Sequence, residues 1–402
     1  MPREDSRPHV LMSWFLDDWG RFGRAYEQVA THLAQSEHIA RVLCLLPADW
    51  TPMTKWQLPL VVREHREKLS AITLRPHCAP GRVGPYRLRR ALNHWLPHRL
   101  PVLLSRMLGF SPDNTLLWLF PPHPLAEQLH RSLARRAMVV HVIDNNALVH
   151  TKPPEERDRI MSQYRRLAHA ADWVYVNSGH NRDTFSSLNR NTYHFSNAVD
   201  PAFFGAPRVR SGTVRVGYLG WITERTDVPI LEHIAAARPE WQMLIAAPAT
   251  LQAREKLRVL SARRNVIWMT DVEQATAPGF LASLDVCLMP HLDCAYSKSM
   301  HPLKLLQYLA SGRPVITTGV AGVEQWVEHL RIAADGPGFV RAIEEAVVND
   351  TPTAAHRRME AVWGETWDVR VRAMLEPIVA GWAEQMRSRV AAGNEYYRST
   401  GP

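Results

Sequence analysis

From Asp285 to Thr318 the chain passes through a short apolar run, a polar loop, an amphipathic segment and a second apolar run, and this order constrains the fold more than any other stretch. Val286 to Met289 is stopped by Pro290 and suits a strand buried on both faces, as in a parallel sheet. The loop ends in Ser297, Lys298 and Ser299. The pair His301-Pro302 then predicts a helix start, because the residue before proline avoids the helical region while proline fits the first helical position. Gly312 ends that helix. Within it Leu303, Leu306 and Ala310 share one face for packing, and Lys304, Gln307 and Ser311 share another that is left for binding. A helix N-terminus presents unpaired N–H groups and the positive end of its dipole, and Lys304 adds a full charge in the first turn. A phosphate or diphosphate is the natural ligand of the amides from Met300 to Leu303. The plainer alternative is one more strand, helix and strand carrying a solvated lysine.

The order P-L-K-L-L-Q-Y-L-A-S-G-R-P-V-I-T-T, from Pro302 to Thr318, resembles the donor-site signature of GT-B glycosyltransferases, P-x-K-x-x-E-Y-L-A-x-G-x-P-V-V-x-T. The resemblance implies an α/β chain of two doubly wound Rossmann-like domains facing a central cleft. It also implies that this helix holds the diphosphate of a nucleotide sugar at its N-terminus, with an acidic residue on the ribose. Gln307 stands at that acidic position, and Ser299 stands where many members carry a second acid eight residues earlier. Both depart from the ordinary retaining pattern. K-L-L-Q-Y is also similar to the donor-site helix of the glucuronosyltransferases of xanthan assembly, inverting GT-B enzymes that act on a lipid-linked oligosaccharide. Upstream, Y-L-G-W-I-T-E-R-T-D looks like the family's Y-x-G-x-I-x-x-R-x-D. The resemblance therefore assigns Gly220, Trp221, Arg225 and Asp227, with Ser299, Met300, His301, Leu303, Lys304 and Gln307, to the nucleotide-sugar side of the cleft.

With 402 residues, 46% of them apolar, the chain can bury two cores of ordinary domain size. Four cysteines, at 44, 78, 287 and 294, lack C-x-x-C spacing and imply neither a disulfide framework nor a zinc site, which fits a reducing cytoplasm. The N-terminus MPREDSRPHV has no signal-peptide core, and no run approaches the ~18 apolar residues of a spanning helix. A soluble or peripheral protein is expected. The net charge of +9 is unevenly placed: residues 1 to 205 hold 26 Lys+Arg against 18 Asp+Glu, and the remainder 22 against 21. From Ser70 to Pro112 there is no acid at all, while Arg75, Arg82, Arg87, Arg89, Arg90, Arg99 and Arg106 are interleaved with residues such as Tyr86, Trp95, Leu96 and Met107. This composition suits an interfacial segment on anionic lipid, at the inner face of a membrane. A helical hairpin with solvated arginines is the alternative. Nucleic acid is not expected, since no binding motif accompanies the charge.

In the first half, His9 to Ser13 reads as a strand, and a loop with Trp14, Asp17, Asp18 and Trp19 follows, suited to a sugar or to a plain surface turn. Ala25 to Ala34 reads as a helix and Arg41 to Leu46 as a strand; LPLVV and AITL are β-type runs of unassigned order. Thr115 to Phe120, Met138 to Ile143 and Trp173 to Asn177 continue the strands, with helices over His123 to Arg136 and Glu155 to Ala171. Asp144 follows the end of one strand, where parallel sheets place their ligand clefts, and is the candidate general base. His141 and His150 compete for that role, and a turn or helix cap is the structural alternative.

Asn197-Ala198-Val199-Asp200 resembles the N-G-V-D that closes the first domain in the family. A linker is expected over Pro201 to Gly212, and Val214 to Gly220 opens a second alternation of strands and helices. His356 to Ala392 reads as helical, with Trp363 and Trp367 in the core, and in the GT-B family the final helix crosses back. The expected units are an acceptor-binding domain over 1–205, a nucleotide-sugar-binding domain over 206–370 and a helical tail over 371–402. The expected function is metal-independent transfer of a sugar from a nucleotide diphosphate, UDP favoured, to a glycan or lipid-linked acceptor, with no further cofactor. A sugar-nucleotide epimerase and a non-catalytic glycan- or lipid-binding protein on the same scaffold are the alternatives.

Overall fold

The computed structural model describes residues 7–14, 18–47, 60–74, 102–205, 207 and 212–399. Two Rossmann-like domains are each built on one sheet. The first sheet contains β1 (His9–Ser13), β2 (Arg41–Leu46), β3 (Leu60–His65), β4 (Leu69–Leu74), β5 (Thr115–Leu119), β6 (Ala137–Val142), β7 (Trp173–Val176) and β8 (Thr192–His194), in the order β3-β4-β2-β1-β5-β6-β7-β8. Its pairings are parallel except β3 with β4, so the two runs of unassigned order form an antiparallel edge. The second sheet contains β9 (Arg215–Leu219), β10 (Gln242–Ala246), β11 (Val266–Met269), β12 (Val286–Met289), β13 (Val315–Thr317) and β14 (Arg331–Ile332), all parallel, in the order β11-β10-β9-β12-β13-β14.

The central strands are buried on both faces because helices cover both, which is why they read as continuous apolar runs. β5, β6, β7 and β12 are buried along their whole length. The order of the parallel strands switches direction between β1 and β5 in the first sheet and between β9 and β12 in the second. Such a switch point opens a crevice beyond the carboxyl ends of the strands. The two crevices face each other.

The chain passes between the domains twice, and the two passages run side by side. The Val199 N–H donates to the Glu365 carbonyl at 2.8 Å, and the Trp367 N–H returns to the Val199 carbonyl at 3.3 Å. After the second passage the helix Trp367–Ser399 packs on the first domain, where Trp367, Val371, Met374, Ile378 and Trp382 join the core of β1, β2, β5 and β7. Tyr175 of β7 donates its hydroxyl to the Met374 carbonyl at 2.6 Å.

Trp363 corrects the sequence reading: it is 69% exposed rather than in the core. Its helix, Pro352–Ala361, ends two residues earlier, so Trp363 falls on the turn before the final helix and meets only the edge of Phe204, ring centroids 5.1 Å apart. In the acid-free segment, residues 75–101 lie outside the described residues, as do Asp17 and linker residues 206 and 208–211. The helix over 102–107 exposes Leu103, Arg106 and Met107.

Candidate active site between the two sheets

The helix Leu303–Ala310 follows β12 and a four-residue helix, Ala295–Lys298, within the loop read as merely polar. Pro302 is its N-cap and has no side chain to satisfy the first N–H groups, so these remain available. Gly312, at φ +71°, closes the helix in the left-handed conformation that glycine adopts without strain. Tyr308 ties the helix to β9: its hydroxyl accepts from the Leu219 N–H at 2.8 Å and lies 3.2 Å from the Leu219 carbonyl. The next residue, Gly220, has φ +112°, and a Cβ there would stand 3.5 Å from the Lys304 Cε. The φ, and not the space, calls for glycine here, since a methyl would only touch the lysine.

Lys304 is 9% exposed, so the alternative of a solvated lysine fails and the face read as left for binding is enclosed. Its ammonium donates to the Tyr218 hydroxyl, lies 4.0 Å from the centroid of that ring, and stands 3.4 Å from His291 Nε2. Burial, with the positive Arg225 nearby, holds its pKa well below the ordinary lysine value. Arg225 abuts the Met300 sulfur, its guanidinium carbon lies 5.7 Å from the Tyr296 ring centroid, and its Nε is buried without a partner. Among the described residues no carboxylate stands within ion-pair distance of Lys304 or Arg225. Desolvated cations without an anion are costly. The cleft is therefore poised for one.

The opposite wall comes from the first domain. Asp144, half-buried, follows β6, and its main-chain carbonyl accepts from the Tyr164 hydroxyl at 2.9 Å. Burial raises its carboxyl pKa, and Arg225 and Arg24 pull it back down. His141 lines the same cleft, stacked on Phe120 at 5.0 Å between centroids, with Nδ1 unpartnered; burial lowers its pKa to about 3. Arg24 donates to Asp18 at 2.7 Å and lies 4.9 Å from the Trp221 ring of the second domain. Two asparagines also join the walls: Asn181 donates to the Ser299 carbonyl at 2.7 Å and Asn197 to the His301 carbonyl at 2.8 Å.

The fold has counterparts among known proteins. Over 96% of its length the chain superposes on all of the sucrose-phosphate synthase of Thermosynechococcus elongatus, with a TM-score of 0.63 at 16% identity. An E. coli structure titled trehalose-6-phosphate bound with UDP-2-fluoro glucose matches 92% of the chain and 98% of its own, with a TM-score of 0.63 at 11% identity. In sequence, TuaH of Bacillus subtilis (strain 168), assigned to teichuronic acid biosynthesis as a glycosyltransferase, is 23% identical over 408 aligned positions, covering 94% of this chain and 98% of that protein. Residues 215–349 match the family described as glycosyl transferases group 1. The chain has the GT-B fold, and its second domain matches the group 1 glycosyltransferase family.

Of the residues singled out in the sequence, Asp144, Gly220, Trp221, Arg225, Met300, His301, Leu303, Lys304 and Gln307 line one cleft. Ser299 and Asp227 do not. Ser299 is fully buried and turns its hydroxyl to the Tyr296 carbonyl at 2.7 Å, while Asp227 is the N-cap residue of the helix Val228–Ala237, its N–H donating to the Pro290 carbonyl at 2.8 Å. In the tryptophan and aspartate loop, Trp14 reaches the cleft, but Asp18 is taken by Arg24 and Tyr26, and Trp19 donates to Glu64 at 2.7 Å. His150 is exposed on a turn and is not a cleft residue. Tyr218, His291 and Arg24 were missed. Tyr218 is the first position of the Y-L-G-W-I-T-E-R-T-D stretch and was passed over for the glycine after the next residue, whereas for His291, just after a strand, only its place at the carboxyl end of β12, beside β9, could have drawn attention.

Proposed function

We propose that the protein transfers a sugar from a UDP-sugar to a hydroxyl of a glycan precursor. The observation that carries this reading is the buried Lys304 ammonium beside Arg225, uncompensated by any described carboxylate within ion-pair distance, at the wall of the interdomain cleft. A donor diphosphate supplies the missing charge. As the bond between the anomeric carbon and the diphosphate oxygen breaks, its electron pair stays with the diphosphate, and Lys304, Arg225 and the N–H groups opening the helix Leu303–Ala310 stabilise the growing charge. In this reading they supply the charge stabilisation that a metal ion gives other transferases. The acceptor oxygen bonds the anomeric carbon and its proton goes to Asp144. Asp144 suits this better than His141, because an imidazole with a pKa of about 3 binds a proton too weakly to draw it from a hydroxyl.

UDP is favoured because the E. coli structural neighbour is bound with UDP-2-fluoro glucose, and a glycan precursor because TuaH is named a glycosyltransferase of teichuronic acid biosynthesis. The basic, acid-free segment Ser70 to Pro112 supports a lipid-linked acceptor reached from an anionic membrane surface. The test is to incubate the protein with a panel of UDP-sugars, with and without lipid-linked and free oligosaccharide acceptors, and to follow free UDP by mass spectrometry. Release that depends on an added acceptor is expected. Interconversion of UDP-sugars without release would replace transfer by epimerisation, and binding with neither outcome would leave a non-catalytic glycan-binding protein.

A further inference from the structure

An ammonium has three N–H donors and no acceptor. Lys304 directs one at the Tyr218 hydroxyl and one toward His291 Nε2. The hydroxyl proton of Tyr218 is itself donated to the Trp221 carbonyl, 2.9 Å away, so toward Lys304 that oxygen acts as acceptor. His291 Nε2 must likewise be the unprotonated nitrogen, which puts the ring proton on Nδ1. Both groups are anchored. Tyr218 is fully buried within β9. The His291 main-chain N–H donates to the Thr318 hydroxyl at 2.9 Å, and that hydroxyl donates to the His291 carbonyl at 2.5 Å. One N–H of Lys304 is left for the cleft.

We propose that Tyr218 and His291 are positioning residues for sugar transfer, which fix the direction of the Lys304 ammonium and keep it protonated so that its third N–H meets the donor diphosphate. The proposal rests on Lys304 being a diphosphate ligand, as argued above. The charged and titratable groups facing this lysine are Arg225, His291 and Tyr218. Arg225 opposes the ammonium. Burial, Lys304 and Arg225 together keep His291 neutral, and burial keeps the Tyr218 hydroxyl protonated. Against burial and Arg225, the described groups that favour a charged Lys304 are the imidazole nitrogen and the tyrosine, through its oxygen and its ring face. Removing either acceptor lets Lys304 lose its proton more readily. Anion binding then has to take up a proton at lower pH.

Calorimetric titration in buffers of different ionisation heat reads both affinity and proton uptake. The probe is UDP, or whichever of UDP, GDP and TDP binds the native protein tightest, followed from about pH 6 to 9 around the ordinary histidine and lysine ranges. Tyr218→Phe and His291→Met are expected to bind about three- to tenfold more weakly, the equivalent of one hydrogen bond, with the onset of proton uptake moved to lower pH. His291→Gln, which keeps an acceptor, should stay within about threefold of the native affinity and keep its uptake profile. Native affinity and native uptake in Tyr218→Phe and His291→Met, while Lys304→Ala loses binding, would overturn the positioning role and leave the lysine in place. Unaltered binding by Lys304→Ala would instead remove the lysine from the site and the positioning role with it. Should His291→Met fail to fold, Tyr218→Phe, which keeps the ring and its packing, decides by itself.

Discussion

At the scale of single residues, the cleft sets Asp144 against Lys304 and Arg225, and each side has a measurable consequence. Asp144→Asn keeps the shape and removes the proton acceptor, so turnover should fall by roughly the 10² to 10⁴ of general-base catalysis while donor affinity holds, read from initial rates and a UDP titration. Near-native turnover would move the role to another residue. Lys304 predicts a pH dependence with a definite sign. Below its empty-cleft pKa the lysine is charged with or without ligand, and affinity for UDP is flat. As pH rises through that depressed pKa, binding must recruit a proton, and affinity should fall about tenfold per unit. The decline should therefore begin well below the ordinary lysine range; a profile flat up to that range would contradict the burial of an uncompensated ammonium. Sequence reasoning found Lys304 because the motif marks it, and Asp144 because it follows a strand. It could not find that Ser299 turns inward or that Asp18 is consumed by Arg24 and Tyr26, since both depend on contacts made across loops.

At the scale of elements, the two strands and the longer helix of the unit from β12 to β13 were legible to within a residue, because proline and glycine mark their ends, but the four-residue helix Ala295–Lys298 between them was not. The assignment of helix faces was less exact. Lys304 and Gln307 do line the cleft, but Leu303 lines it too, and Ser311 bonds back to the Tyr308 carbonyl at 2.7 Å. A helix wedged between two domains has little free face, so the amphipathic rule marks positions without saying which partner they meet. Gly312→Ala tests the helix end. With φ at +71° and Ala355 Cβ 3.4 Å from where the new methyl would sit, the substitution should cost about 1 kcal/mol, seen as a lower urea midpoint at unchanged slope. An unchanged midpoint would mean that the turn carries no such constraint.

At the scale of the whole molecule, alternation of strands and helices announced two doubly wound sheets, whereas the closure of the cleft was invisible in sequence. It depends on pairs far apart in the chain, such as Asn181 with Ser299, Asn197 with His301, and the Gln274 N–H with the Arg21 carbonyl at 2.7 Å. Among the described residues no helix is long and apolar enough to cross a membrane. If Ser70 to Pro112 rests on a membrane surface, the protein should co-sediment with anionic but not neutral vesicles, and salt should release it, since each basic residue near such a surface contributes about 1 kcal/mol that screening removes. Equal recovery in the supernatant with every vesicle would favour a soluble acceptor. The central claim, that this cleft holds a nucleoside diphosphate on Lys304, is tested most directly by thermal denaturation with UDP, GDP and TDP at increasing concentration. A ligand bound only by the folded protein raises the midpoint in proportion to the logarithm of its concentration. The expected result is the largest rise with UDP, lost in Lys304→Ala; no rise with any of the three, or an equal rise in the variant, would contradict it.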